Sequence, residues 1–186
     1  MARGMIPADT ARLHFREMTG DDLYAMSELL GDPEVMAFYP APKSRAEAQQ
    51  WIDRNRRRYA QEGYGLWIIE TLGGEFVGDC GLTLQPVDDR TVLEVGYHVR
   101  RDLQGRGYAT EAAIAARDLA ARNGLGQLHA IIHPDNMPSQ RVAEKAGRCR
   151  GVTGGTSDAR RPNTLDGSRR SAWPPIRRWP QPAPST

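Results

Sequence analysis

Apolar and polar residues alternate along "ARLHFREM", which predicts a first β-strand near the start of the chain. Thr19 then precedes "GDDLYAMSELL", where acids fill the first turn. Leu23, Met26, Leu29 and Leu30 form one apolar stripe, the signature of a capped amphipathic helix. A connector with three prolines, "GDPEVMAFYPAPK", separates it from a second helix. That helix opens on Ser44 with Glu47 three residues later, a capping box. Its buried face is predicted from Ala48, Trp51, Ile52 and Tyr59, with the polar Asn55 interrupting it. "GLWIIE", a turn at Gly73-Gly74 and "EFVGDCGLTL" predict a β-hairpin. In the next strand, "TVLEVGYHV", Leu93, Val95, Tyr97 and Val99 share one face and Glu94, Gly96 and His98 the other. A helix is predicted from about Tyr108 to Asn123, stopped by Gly124. "QLHAIIH" reads as a buried strand, and "PDNMPSQRVAEKAG" as a short helix capped near Asn136 and ended by Gly147. The order β, α, α, three strands, α, β, α predicts one mixed α/β domain.

Composition narrows the function classes. The 186 residues suffice for one domain with a core, and the net charge of +2 gives no electrostatic argument for a nucleic-acid partner. No apolar run reaches the length of a membrane span, and the N-terminus lacks a secretory h-region. Cys80 and Cys149 show no metal-ligand spacing, so no metal site is expected. The reading is a soluble, cytoplasmic protein with reduced thiols, monomeric or homodimeric. The arginines Arg54, Arg56, Arg57 and Arg58 read as a solvated helix face, the alternative being a contact with an acidic partner.

The chemistry is concentrated in "RRDLQGRGYATEAA". Gly105 and Gly107 permit positive φ and close approach of a ligand to the backbone. The turn feeds a helix whose first N–H groups and dipole favour an anion. A Walker loop would need Gly-Lys-Ser/Thr, which is absent. A dinucleotide fingerprint would need a glycine three residues after Gly107, where Thr110 stands. A plain glycine turn before a helix remains the other reading.

Gln104-Gly105-Arg106-Gly107-Tyr108-Ala109 resembles the acyl-CoA pyrophosphate motif Q/R-x-x-G-x-G/A of the GNAT family of N-acetyltransferases. "LEVGYHV", "HPDNMPSQRVAEKAG" and the opening "ARLHFREMTGDDL" are similar to its RimJ/RimL-like branch, and the resemblance covers roughly residues 10 to 148. It implies a GNAT fold: a mixed, mostly antiparallel central sheet with flanking helices. It also implies acetyl-CoA as co-substrate, a primary amine (a protein N-terminus or a small molecule) as acceptor, and direct transfer without a covalent enzyme intermediate. Backbone N–H groups of Gln104, Gly105, Arg106, Gly107, Tyr108, Ala109 and Thr110 would hold the pyrophosphate. Main-chain groups of Tyr97, His98 and Val99 would pair with the pantetheine arm like an added strand, and the Val99 N–H would face the thioester oxygen.

Attack requires a neutral amine and hence a base. Glu94 is the carboxylate candidate and His98 the alternative; an exposed strand residue pairing across the sheet is the other reading of Glu94. His14, His129 and His133 read as structural. Relatives with an acid tyrosine carry it seven residues after the motif asparagine; counted from Asn136, that place holds Ala143. Ser139 stands three residues after Asn136, where the RimL-like branch has a serine able to donate to the CoA sulfur; it can also simply cap its helix, as can Asn136, which could otherwise bond the pantetheine arm.

After Gly147 the pattern ends. Residues 150–186 contain arginine and crowded prolines but no lysine or glutamate, and read as a disordered tail that cannot offset its ordering entropy. The two sheet-closing strands expected of the family have no counterpart there. A frameshift in a GC-rich gene would produce such a composition. The rival is a genuine basic tail, with Trp173 and Trp179 available to stack on RNA. The division expected is an extension over 1–9, an acetyltransferase domain over 10–149 and the tail. Beside the transferase reading stand a catalytically impaired CoA-binding module and an RNA- or ribosome-associated protein acting through the tail.

Overall fold

A computed structural model describes residues 4–87 and 89–148; the tail expected over 150–186, the question of the two sheet-closing strands and Cys149 lie outside the described residues. Five strands form one sheet in the order β1-β2-β3-β4-β5. They are β1 (Leu13–Arg16), β2 (Leu66–Thr71), β3 (Phe76–Val87), β4 (Arg90–Val99) and β5 (Leu128–His129). The first four run antiparallel, and β5 joins β4 in parallel. The helices are α1 (Leu23–Gly31), α2 (Arg45–Gln61), α3 (Tyr108–Arg122) and α4 (Met137–Arg148).

The elements follow from local rules. The hinge into α1 is a short 3-10 turn, Gly20–Asp22, in which the Asp22 carboxylate accepts from the Thr19 N–H at 2.7 Å. The same carboxylate binds the Arg16 guanidinium through two contacts of 2.9 and 2.7 Å, tying β1 to α1. The Ser44–Glu47 capping box opens α2 as predicted. In α3, alanines 112, 113, 115, 116 and 120 are buried; small side chains let the helix sit close on β3 and β4.

Asn55, which interrupts the apolar face of α2, is only 1 % exposed. Its Oδ1 accepts from the Leu66 N–H and its Nδ2 donates to the Trp51 carbonyl, both at 3.0 Å. It therefore satisfies the first amide of β2, where the chain leaves the helix layer. Asn55→Ala would strand that buried N–H, at a cost of about 2 kcal/mol. Thermal unfolding should then shift down by roughly 6 °C.

Two boundaries differ from expectation. α4 runs through Gly147 to Arg148 instead of ending at the glycine. "QLHAIIH" is buried in part, at Leu128, Ala130 and Ile132, but only Leu128–His129 pair with a neighbour. The pairs are Leu93↔Leu128 and Glu94↔His129, and beyond them the two chains diverge. Apolar periodicity reports burial; it does not report that a strand turns away from its neighbour.

Candidate active site

The divergence creates the site. The Arg100 N–H donates to Val77 O at 2.9 Å, and His98 O lies against Gly78 Cα on β3. Strand alternation then turns the N–H groups of Tyr97 and Val99 to the opposite edge, away from β3. That edge has no paired strand among the described residues once β5 departs. A groove of about 2720 Å³ opens there, lined by β4, the Gly105–Thr110 turn, the start of α4 and the α1–α2 connector. It exceeds an ordinary small-molecule pocket of roughly 300–1,000 Å³, so it has room for a long ligand and a second one.

At one end is the glycine turn. Gly105 has φ 75° and Gly107 φ 85°, both left-handed, and Gly107 caps α3. The first main-chain bond into the helix is Glu111 N–H to Gly107 O at 3.0 Å. The N–H groups of Tyr108, Ala109 and Thr110 precede it and have no intrahelical acceptor. Gly105, Arg106 and Gly107 likewise donate no main-chain bond among the described residues. Gln104 departs from the expected role: its N–H goes to Arg101 O at 3.2 Å and its side chain donates to Val99 O at 3.0 Å. It holds the turn against β4, and its main-chain N–H is not left to offer an anion.

The turn is also braced from the other end of the chain. Arg12 donates to Arg106 O at 3.0 Å and to Glu111 Oε2 at 2.7 Å, and its guanidinium lies 4.7 Å above the Tyr108 ring. Thr10 adds a bond to Glu111 at 2.6 Å. Burial raises the Glu111 pKa, but the bonds from Thr10 and Arg12 outweigh it and the net shift is downward.

At the other end, β3 and β4 present polar pairs on a common face: Asp79 opposite His98 and Thr83 opposite Glu94, with Gly81 and Gly96 between. Glu94 accepts from the Thr83 hydroxyl at 3.2 Å. Burial pushes Glu94 up to about 7, against hydrogen bonds from Thr83 and Gln85, the charge of His98 and the Ile131 N–H. It is not an exposed strand residue. His98 is buried, with Nδ1 2.7 Å from Asp79 Oδ1 and Nε2 2.7 Å from the Tyr39 hydroxyl. Burial lowers its pKa, yet the charge and hydrogen bond of Asp79 and then the charge of Glu94 carry the net shift upward. Trp51 Nε1–H donates to Asp79 Oδ2 at 3.0 Å. Arg54 and Arg58 also line the groove and the Arg54 guanidinium lies 5.8 Å from the Trp51 ring, whereas Arg56 and Arg57 do not line it.

Just before α4, Asn136 Oδ1 accepts from the Ser139 N–H at 3.1 Å, so Asn136 caps the helix. Ser139 O accepts from the Tyr97 hydroxyl at 2.8 Å, which docks α4 onto β4. Both residues line the groove. The structure thus brings every anticipated site residue except Arg106 to the groove wall; Arg106 donates to Asp102 O at 3.0 Å on the outside of the turn. Asp79 was missed. Its signal was an acid inside the apolar run Phe76–Leu82, directly across from His98 in hairpin register. Arg12 and Glu111, 99 residues apart, carried no sequence signal at all.

Among the described residues no cluster of His, Cys, Asp and Glu could hold a metal ion, and no helix is long and apolar enough to cross a membrane. The profile described as "Acetyltransferase (GNAT) domain" matches residues 12–148. The chain is 39 % identical over 141 residues to the uncharacterized protein YkkB of Bacillus subtilis, covering 74 % of this chain and 82 % of YkkB. An acetyltransferase crystal structure from Agrobacterium tumefaciens superposes with a TM-score of 0.67 at 25 % identity, over 85 % of this chain and 90 % of that one. RimL, a ribosomal L7/L12 α-N-protein acetyltransferase crystallised with coenzyme A, shares the fold at a TM-score of 0.62 and 20 % identity, over 76 % and 82 % of the two chains. With a matched profile across most of its length and this groove at the parting of two parallel strands, the chain belongs to the GNAT acetyltransferase family.

Proposed function

We propose that the protein is an acetyl-CoA-dependent N-acetyltransferase that moves the acetyl group directly to a primary amine, through the unit spanning residues 10–149. The supporting observation is the join of an unpaired β4 edge to a turn of undonated amides. The residues fit acetyl-CoA: Gly105 and Gly107 at positive φ, with the amides that follow, suit a pyrophosphate. The outward N–H groups of Tyr97 and Val99 suit an extended, amide-bearing arm. One of them stands ready for the oxyanion that forms when an amine attacks. Asn136 and Ser139 flank the arm at the start of α4, and as the C–S bond breaks the Ser139 hydroxyl donates to the departing CoA sulfur. Glu94, near 7, takes the proton that the attacking amine must lose. The protein acts in the cytoplasm, where the buried Cys80 stays reduced.

The acceptor class is tested by thiol release from acetyl-CoA with four amines: an Ala-Ala-Ala peptide, spermidine, lysine and kanamycin. Turnover with one or more is the expected result. Acetyl-CoA binding by calorimetry without turnover on any amine would sink the transferase reading and leave a binding module. Arg12→Ala should raise the dissociation constant of acetyl-CoA about fivefold, because the brace on Arg106 O and Glu111 is lost; a half-exposed ion-pair network contributes about 1 kcal/mol.

A further inference from the structure

We propose that the Tyr39 hydroxyl is the group that receives the acceptor amine, and that Asp79, His98 and Trp51 are positioning residues that set which way this hydroxyl points. The proposal rests on the N-acetyltransferase reading and names a contact within it.

Tyr39 stands on the connector between α1 and α2 and is 39 % exposed, with its ring on the groove wall. Its hydroxyl reaches 2.7 Å to His98 Nε2. The chain then continues inward, from His98 Nδ1 to Asp79 Oδ1 at 2.7 Å and from Asp79 Oδ2 to Trp51 Nε1 at 3.0 Å. An indole N–H only donates, so it meets an oxygen that accepts. With both Asp79 oxygens accepting, the imidazole proton sits on Nδ1. In the neutral ring, Nε2 is then an acceptor and takes the Tyr39 O–H. The one proton of Tyr39 is committed to His98, and its lone pairs are left to the groove. That polarity suits a ligand carrying N–H donors and rejects one that offers only a carbonyl. Tyr39 keeps its own proton throughout and takes part in no bond change; it orients the nitrogen, and Glu94 receives the proton that leaves it.

The placement agrees. His98 lies between Tyr97 and Val99, the residues whose N–H groups face the open edge, so Tyr39 is one side chain away from where the reacting carbonyl would be held. Asp79 is 0 % exposed. A buried acid is costly unless it is paired, and a buried pair is not a gain in stability over apolar residues. The residue that Asp79 holds, His98, is in the groove wall, and a buried pair placed there points to work done at the groove. The titratable groups facing His98 are Asp79 from β3, Glu94 from β4 and Tyr39 from the connector, with the neutral Trp51 from α2. Burial and the charges of Glu94 and Asp79 push the Tyr39 hydroxyl above its ordinary value, so it stays protonated. Protonation of His98 would reverse the bond: Nε2–H would donate to Tyr39, whose O–H would turn into the groove. The amine-receptive arrangement therefore belongs to the alkaline side of the His98 titration, the side on which Glu94 is also ionised.

The test uses the full chain at pH 8.5 with the four amines named above. Tyr39→Phe is expected to lower kcat/KM for the amine about tenfold or more through its KM, the size of one lost hydrogen bond to a charged group, with the acetyl-CoA KM within about twofold. Asp79→Asn should cost a similar factor alone and add less than about twofold on a Tyr39→Phe background, because both act through one hydroxyl. His98→Gln gives the same cycle should Asp79→Asn fail to fold. In ¹⁵N spectra at that pH, His98 should carry its proton on Nδ1. A Tyr39→Phe protein within about twofold of the parent on an amine that turns over, single losses that multiply in the double variant, or a His98 proton on Nε2 would each overturn the proposal. Absence of turnover with all four amines would take down the transferase reading and this inference with it; turnover with Tyr39 indifferent takes down this inference alone.

Discussion

Glu94→Gln should lower kcat by about 10²- to 10⁴-fold, the range for removal of a positioned general base. The parent rate should rise with pH through about 7 as Glu94 ionises. In the variant this step should vanish from the pH profile of kcat at saturating amine, while the His98-dependent change stays in the amine KM. Survival of the step near pH 7 would show that another group is the base. The same substitution should stabilise the fold. Glu94 has a folded pKa above its ordinary value of 4.5, so the folded state binds its proton more tightly than the unfolded chain. Stability contributed by this group is full below about pH 4.5 and is lost as pH rises to about 7. The neutral glutamine escapes that loss, so at pH 8 the variant should be more stable than the parent by about 1–3 kcal/mol, and at pH 4 no more stable. A carboxylate held near neutrality is thus opposed by folding, and the two effects can be read from one variant by a rate profile and a pair of melting curves.

Gly78→Ala should be among the most damaging single changes to the fold. The register between β2 and β3 slips at Ile69/Glu70, where Glu70 pairs with Phe76 and Ile69 with Gly78, leaving Val77 as an extra residue. This bulge bends β3 just before Asp79, a common device for re-aiming a side chain beside a site. Gly78 has φ 155°, and a Cβ there would fall 2.0 Å from His98 O and 3.1 Å from Val99 Cα. Both obstacles are backbone, so no rotamer relieves them and β4 must shift. A loss of about 3 kcal/mol or more is expected, which lowers the melting temperature by roughly 10 °C. What survives should bind acetyl-CoA weakly, because the displaced segment is the one that carries Tyr97 to Val99. A melting curve and a titration decide it; an unshifted midpoint would mean that β3 has another way to bend.

Much of this was legible in the sequence because the rules involved are local. Alternation placed Glu94 and His98 on one face of β4, and two glycines before an alanine-rich run marked the turn that caps α3. The Ser44–Glu47 box and the Asn136 cap were legible for the same reason. What escaped is non-local. Asn55 looked like a flaw in an apolar stripe because its partner, the Leu66 N–H, lies 11 residues on in another layer. Asp79 becomes meaningful only when β3 and β4 are in register. The end of β5 after two residues is a matter of divergence from β4, which no periodicity records. The Gln104 amide looked available until the 3-10 turn Arg101–Leu103 claimed it.

The brace between Arg12 and the glycine turn has a thermodynamic corollary. Arg12 is held by Arg106 O and Glu111 on one side and leads directly into β1 on the other. A ligand that tightens the turn must then also tighten the edge strand of the sheet, and by reciprocity whatever loosens that strand weakens the ligand. Acetyl-CoA should accordingly slow amide hydrogen exchange in Leu13–Arg16, a segment outside the groove wall. Fusions or deletions that unseat residues 10–12 should reach the cofactor from across the sheet.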